Sequence, residues 1–359
     1  MKFAKKFDGV EYFKGNMNKI LALFILFFAF SLAYGQEYKT AKAIEGDGIY
    51  SLLRRNGLPP GEYLNKFIEL NKDQLEKNNS LVIGRTYKLP ANGNTTVGIA
   101  DSAKPAATQK VTPAKADLTI KLFGQNYQKV TVVDKQLSGA VFYLISGHGG
   151  PDPGAVGRLN NQTLCEDEYA YDVTLRFARK LMEHSATVYI IVQDNNDGIR
   201  DDSFLRPDKD EVCYGNLRIP SGHVARLNQR KDIVNNLYTK HKNAYQRLVE
   251  IHIDSRSKGK NIDVFFYHAE GSKQGKKMAT TFQQVFNNKY KQHQPGRGYS
   301  GTVSARNLHI LRNSTMPAVF IELGNINHER DQRRFMISDN RQALANWLSE
   351  GAIKDYLNR

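Results

Sequence analysis

The chain has 359 residues, which leaves room for about two domains beside an N-terminal leader. Its formal net charge of +15 favours acidic partners, and for an exported chain we expect an anionic polymer of the cell envelope rather than nucleic acid. Cys165 and Cys213 are too few for a disulfide framework, and their spacing leaves open whether they form one disulfide or stay free thiols.

The first predicted element is a leader. Residues 20–32 are apolar except for Ser31, follow Lys19 and precede Ala33-Tyr34-Gly35, which is the order of a secretory signal peptide. The apolar segment is shorter than the about 20 residues that a membrane span needs. We therefore expect a signal peptide over residues 1–35, with Met17 as an alternative start, and a mature chain in the periplasm or at the cell wall without a stable membrane anchor. An uncleaved anchor is the alternative.

Residues 36–90 are predicted to form a small domain in the order strand, helix, helix, strand. Ile49, Leu52 and Leu53 share one helical face, and Gly57 ends that helix. The segment from Tyr38 through Gly46-Asp47-Gly48-Ile49 and Leu70-Asn71 to Leu89-Pro90 resembles a LysM domain, although Gly48 replaces the more usual threonine. The resemblance implies binding to the N-acetylglucosamine chains of peptidoglycan or chitin. The alternative is a generic α+β domain with no affinity for sugar.

A linker is predicted over residues 91–117, which are rich in Ala, Thr, Lys, Gly and Pro and show no apolar periodicity. Such a tether raises the effective concentration of a second domain at a bound polymer. Residues 118–139 alternate between apolar and polar around a Gly-Gln-Asn turn, which predicts a hairpin at the start of the domain 118–359.

In the second domain, polar side chains stand where predicted buried strands end. His148 follows the apolar run 141–145 within a segment rich in glycine and proline, His252 ends a second strand, and Glu322 ends a third. A glutamate in such a run is costly unless it is paired or binds a metal. Two histidines and carboxylates at one sheet edge suit a zinc site with an open coordination position. The alternative is three unrelated polar residues that cap strands.

Helices and strands alternate through the rest of this domain. A helix is predicted to open in the segment 163–172 and to lead into a strand at 188–192, which implies a parallel pair joined by a crossover. Further strands and helices follow up to a closing helix at 342–357. The predicted fold class is α/β, a doubly wound mixed sheet flanked by helices, preceded by the small βααβ domain.

Several motifs in this domain together resemble one family. They are Gly147-His148-Gly149-Gly150, Asp152-Pro153-Gly154-Ala155, Ile251-His252-Ile253-Asp254, Leu311-Arg312-Asn313, Met316-Pro317-Ala318 and Glu322-Leu323-Gly324. In this order they resemble the zinc-dependent N-acetylmuramoyl-L-alanine amidases of the Amidase_3 family. That family hydrolyses the amide between the lactyl group of N-acetylmuramic acid and L-alanine in peptidoglycan.

The resemblance implies a role for each matching residue. His148, a glutamate early in the first helix and His252 would bind Zn²⁺, and Glu322 would be the catalytic base. The helical glutamate is ambiguous, because Ala170 stands where the family ligand usually does. Glu166 is favoured over Glu168 because it shares the face of the buried helical residues. Arg312 and Asn313 are candidate substrate-binding residues, with surface or packing roles as the alternative.

The chain departs from the family pattern at Ile145-Ser146, where Asp-Pro is usual, and in the longer segment 195–224. An insertion of the kind that inhibits some division amidases after the second histidine is not expected here. Two competing functions remain open. One is a zinc carboxypeptidase acting on stem peptides, and the other is a catalytically degenerate protein that only binds the wall.

Overall fold

The fold is described from a computed structural model that covers residues 38–44, 47–58, 60–76, 81–91, 117–255 and 263–359. The predicted signal peptide and almost all of the predicted linker lie outside these residues. Within them, no helix combines the length and apolar character needed to cross a membrane.

The N-terminal unit contains strand β1 (Thr40–Lys42), helices α1 (Ile49–Arg55) and α2 (Pro60–Asn71), and strand β2 (Thr86–Lys88). β1 and β2 pair antiparallel, which gives the predicted order of strand, helix, helix, strand. A separate apolar core, including Leu52, Leu53, Phe67 and Tyr87, holds the two helices against this two-stranded sheet.

The second unit begins with the predicted hairpin, in which β3 (Asp117–Thr119) pairs antiparallel with β4 (Lys129–Thr131). The remaining elements are β5 (Ala140–Ser146), β6 (Val156–Leu159), β7 (Gln162–Cys165), α3 (Glu166–Glu183), β8 (Thr187–Ile190), β9 (Val192–Gln193), β10 (Val212–Cys213), β11 (Leu217–Arg218), α4 (His223–Tyr238), β12 (Tyr245–Asp254), β13 (Phe265–His268), α5 (Lys273–His293), β14 (Val303–Ala305), α6 (His309–Asn313), β15 (Ala318–Asn325), α7 (Glu329–Met336) and α8 (Ser338–Leu357).

A six-stranded sheet in the order β14-β13-β15-β12-β5-β8 forms the centre of this unit. The neighbours from β15 through β12 and β5 to β8 are parallel, as are β13 and β14, whereas β13 runs antiparallel to β15. The sheet is therefore mixed, and the carboxyl ends of β5, β12 and β15 lie next to one another. This arrangement brings the predicted site residues to one edge.

Helices cover both faces of the sheet, because alternate strand residues enter two separate cores. Phe142 and Leu144 of β5 face the core that contains α3, α5 and α8. Val141, Tyr143 and Ile145 face a second core that includes residues of α4 and α6. This two-sided packing confirms the doubly wound fold class.

Two local predictions were wrong. Residues 163–165 were expected to open a helix, but they lie in β7, which pairs with β6, and α3 begins only at Glu166. The predicted strand 188–192 is divided, since β9 leaves the main sheet and pairs with β10. Both cysteines are buried and free, so they do not form a disulfide.

Candidate metal centre and its surroundings

His148 is held in an unusual backbone conformation just beyond the end of β5. Its φ is 65°, in the left-handed region that non-glycine residues seldom occupy. Such conformations persist where the surrounding structure enforces them and are frequent at functional sites. The turn that follows therefore fixes where the imidazole points.

Two glycines make room for the site. A Cβ at Gly147 would lie 2.3 Å from the ring of His252, and a Cβ at Gly154 would lie 2.7 Å from both the Glu166 carboxylate and the ring of His148. Any larger residue would collide with these side chains, which explains why the strand ends in a segment rich in glycine.

His148, Glu166 and His252 converge although they come from β5, α3 and β12. His148 Nε2 lies 3.3 Å from Glu166 Oε2, and His252 Nδ1 lies 2.9 Å from Glu166 Oε1. One nitrogen or oxygen of each residue lies within 4.8 Å of the others. The two imidazole rings are nearly perpendicular, with centroids 4.9 Å apart.

The Glu166 carboxylate is fixed by the backbone as well as by the histidines. Ala155 N donates to Oε2 at 2.8 Å, and Ile253 N donates to Oε1 at 2.9 Å. Glu166 stands at the first position of α3, where the positive end of the helix dipole also favours a carboxylate. The side chain is therefore held ionised and oriented towards both histidines.

The carboxylates around the two histidines favour a positive charge within the cluster. Burial by itself lowers the pKa of His148, but its contacts with Asp152 and Glu166 outweigh burial and raise the pKa to about 9. His252 behaves in the same way, and contacts with Glu166 and Glu250 raise its pKa to about 10. A metal competes with such protons for the same nitrogens. Two imidazoles and one carboxylate form a donor set that fits zinc.

Glu322 lies beside this cluster on the neighbouring strand β15, in register with His252. Its Oε2 atom is buried and has no hydrogen-bond partner within the described part of the chain. Burial raises the pKa of Glu322 to about 8. A cation held by the neighbouring ligands would favour the ionised form, leaving a carboxylate that can exchange a proton near neutral pH.

Residues 143–354 match the family model described as N-acetylmuramoyl-L-alanine amidase, which covers more than half of the chain. The chain belongs to this amidase family. It is an enzyme of this class, and family membership supports peptidoglycan as its substrate and a cell-wall or extracellular location.

The chain is also similar to solved structures of amidases. They include the catalytic domain of CwlV from Bacillus (Paenibacillus) polymyxa var. colistinus (22% identity, 61% of this chain and 98% of the other, TM-score 0.44). They also include an amidase from Clostridium difficile 630 (21% identity, 62% of this chain and 98% of the other, TM-score 0.45). A third is the amidase Ami1 from Mycobacterium smegmatis (15% identity, 62% of this chain and 99% of the other, TM-score 0.46). No curated protein matches the chain.

In this amidase the alternative ligand Glu168 faces a different environment. Its Oε2 lies 2.8 Å from Arg200 Nη2, and its Oε1 accepts a hydrogen bond from Asp208 N at 3.1 Å. The carboxylates of Asp167 and Glu211 lie close to that of Glu168. The geometry therefore brings Glu166, and not Glu168, between the two histidines.

Arg312 and Asn313 are engaged locally at helix α6. Arg312 Nη1 donates to Asn307 Oδ1 at 2.9 Å, and Asn313 Nδ2 donates to His309 O at 2.8 Å. None of the contacts described for these two residues involves His148, His252 or Glu166. The structure thus brings together His148, Glu166, His252 and Glu322, but it does not join Arg312 or Asn313 to them.

Sequence reasoning missed the residues that support the histidines of the amidase. His148 Nδ1 lies 3.0 Å from Asp152 Oδ2, and His252 Nε2 lies 3.4 Å from Glu250 Oε1. Glu250 could have been found from its spacing, since residues two apart in a strand share a face. Arg226, which contacts Asp152 from α4, has no comparable signal in the sequence.

Proposed function

We propose that the chain is a zinc-dependent amidase that cleaves the bond between the lactyl group of N-acetylmuramic acid and L-alanine. His148, Glu166 and His252 would hold the zinc, and Glu322 would act as general base. The observation that carries this proposal is the convergence of three suitable ligand atoms within 4.8 Å beside the unpartnered Glu322 Oε2. Its role would be cell wall turnover or cell separation.

When bound, zinc supplies a Lewis acid that activates water at neutral pH and polarises an amide carbonyl. The residues of the chain carry out the other steps. The Glu322 carboxylate accepts a proton from the attacking water and passes it to the departing alanine nitrogen. Glu166, fixed by two backbone amides, orients both imidazoles. Arg312 and Asn313 are proposed to bind substrate if their local hydrogen bonds exchange for contacts with the stem peptide.

The test is digestion of purified peptidoglycan followed by mass spectrometry. We expect whole stem peptides with a free L-alanine amino terminus, and glycan that keeps its lactyl groups. Release of terminal amino acids alone would instead identify a carboxypeptidase, and no release at all would leave a wall-binding protein. The isosteric variant Glu322→Gln is the matched control, because it should bind zinc and release stem peptides at least about 100-fold more slowly.

We further propose that residues 36–90 are a LysM-like domain that holds the enzyme on peptidoglycan glycan chains. The proposal is supported by the observed order of strand, helix, helix, strand and by the separate core of this unit. Inactive Glu322→Gln protein should sediment with insoluble peptidoglycan, and the same protein without residues 36–90 should sediment much less. Equal sedimentation would contradict a role of this unit in binding.

The proposed domain limits are 1–35 for the signal peptide, 36–90 for the LysM-like domain, 91–117 for the linker and 118–359 for the catalytic domain. Export to the periplasm or the cell wall is part of this proposal. N-terminal sequencing of the secreted protein would test it, with Gln36 or a close neighbour as the expected first residue.

A further inference from the structure

We propose that Arg226 and Arg230 of helix α4 are positioning residues that hold His148 in its metal-binding orientation. This inference rests on the proposed zinc site. It assigns a task to a helix that contributes none of the proposed zinc ligands and does not carry Glu322.

The spacing of the four buried residues of α4 supports this role. Arg226, Arg230, Val234 and Leu237 follow one another at intervals of three or four residues and therefore share one helical face. Val234 and Leu237 enter an apolar core, which fixes the helix against the sheet. The other half of the same face buries two arginine residues, which are 9% and 4% exposed, and burying their charge is costly unless they are paired.

Arg226 acts through Asp152. Its Nη2 donates to Asp152 Oδ2 at 2.8 Å, the same oxygen that lies 3.0 Å from His148 Nδ1. Asp152 Oδ1 accepts a further hydrogen bond from Gly154 N at 3.2 Å, and Arg226 Nη1 donates to Ser221 O at 2.5 Å. The Asp152 carboxylate, fixed in this way, accepts a hydrogen bond from Nδ1–H of His148. The ring is then left with its Nε2 lone pair directed at the cluster.

Arg230 acts on the backbone of the same residue. Its Nη2 donates to the carbonyl oxygen of His148 in a short hydrogen bond. His148 occupies the left-handed region, where the turn needs support from outside. One helix therefore holds both the ring and the main chain of this proposed ligand.

The experiment compares the zinc affinity of full-length Arg226→Ala, Arg226→Lys and Arg230→Ala proteins, measured by competition with a chromophoric chelator. Removal of a residue that orients a metal ligand typically weakens affinity by roughly 10- to 100-fold. We expect losses of that size for both alanine variants and a smaller loss for Arg226→Lys, which keeps the charge. Lys231→Ala on the same helix is the matched control and should leave zinc affinity unchanged.

A purely structural role predicts a different result, namely a lower melting temperature of the zinc-free protein with unchanged zinc affinity. If Arg226→Ala does not fold, Asp152→Asn takes its place, because it removes the carboxylate and keeps the arginine. Zinc affinities within about twofold of wild type in the folded variants would overturn the proposal.

This outcome is separable from a failure of the proposed function. Wild-type protein that binds zinc but releases no stem peptide would refute the amidase reaction and leave the role of α4 standing. Wild-type activity together with unaltered zinc binding in the variants would refute only the role of α4.

Discussion

Helix α3 carries two groups of buried charge that differ in how fully their polar atoms are satisfied. Asp172 accepts hydrogen bonds from Arg176 Nε at 2.7 Å, Arg341 Nε at 2.6 Å and Arg200 N at 2.8 Å. Beside Glu166, at the start of the same helix, Glu322 Oε2 is buried with no hydrogen-bond partner within the described residues.

This difference separates a structural cluster from a functional one. Buried polar groups are normally hydrogen-bonded, so an unpartnered group points to a ligand or a reacting molecule that belongs there. The Asp172 cluster is complete without any addition. The Glu166 cluster brings three ligand atoms within reach of one metal ion, and it leaves one oxygen of the Glu322 carboxylate without a partner.

The largest expected effect concerns the unpartnered carboxylate. Glu322→Gln should lower the rate of stem-peptide release by roughly 100- to 10,000-fold, because a general base contributes about that much. Zinc content and the free energy of unfolding should not fall, since the amide keeps the shape of the carboxylate. Turnover close to wild type in a zinc-loaded Glu322→Gln protein would show that another group takes the proton.

Substitution in the Asp172 cluster should have the opposite effect, lowering stability but not zinc affinity. Asp172→Asn leaves two buried guanidinium groups without their carboxylate, and we expect a loss of about 3 to 5 kcal/mol in the free energy of unfolding. Urea denaturation measures this loss. The folded fraction should keep its zinc affinity, whereas a loss below about 1 kcal/mol would mean that the cluster contributes little.

The pH dependence of stability sharpens the contrast. Burial by itself raises the pKa of Asp172, but Arg176 and Arg341 outweigh it and lower the pKa to about 2. Because the folded pKa is below that of the unfolded chain, the stabilisation is complete above about pH 4 and is lost as the pH falls towards 2. The stability difference between wild type and Asp172→Asn should therefore shrink by about 2 kcal/mol between pH 5 and pH 2. A constant difference would contradict this assignment.

Close packing at the metal centre gives a smaller effect. A methyl group at Gly147 must displace the His252 ring, so Gly147→Ala should weaken zinc binding by about tenfold. Gly222→Ala is the matched control, because the nearest atom to its added Cβ, in Ala225, is 3.8 Å away. If the two variants bind zinc equally well, the approach of Gly147 to His252 is not important for the site.

The smallest effect is expected at an exposed pair. Arg333 Nη2 and Glu329 Oε1 are 2.7 Å apart on α7, but their side chains are 66% and 68% exposed. Glu329→Gln should change the free energy of unfolding by less than about 0.5 kcal/mol, because solvent screens such pairs. A larger change in the free energy of unfolding, measured by urea denaturation, would contradict the distinction between buried and exposed ion pairs.

The sequence predicted the site residues that lie at the ends of strands. Apolar runs located β5, β12 and β15, and their parallel pairing placed His148, His252 and Glu322 at one edge. It favoured Glu166 over Glu168 but kept Glu168 as an alternative, because strand β7, read as helix, determines where α3 begins. It also could not reveal Arg226 at Asp152, since that contact joins residues 74 positions apart in the chain.

The central claim is that His148, Glu166 and His252 hold one zinc ion, and its most direct test is the zinc content of purified variants. We predict about one zinc per chain in the wild type, in Glu168→Gln and in Glu322→Gln, and a much lower content in Glu166→Gln. Retention of zinc by Glu166→Gln together with its loss from Glu168→Gln would contradict the proposed metal centre.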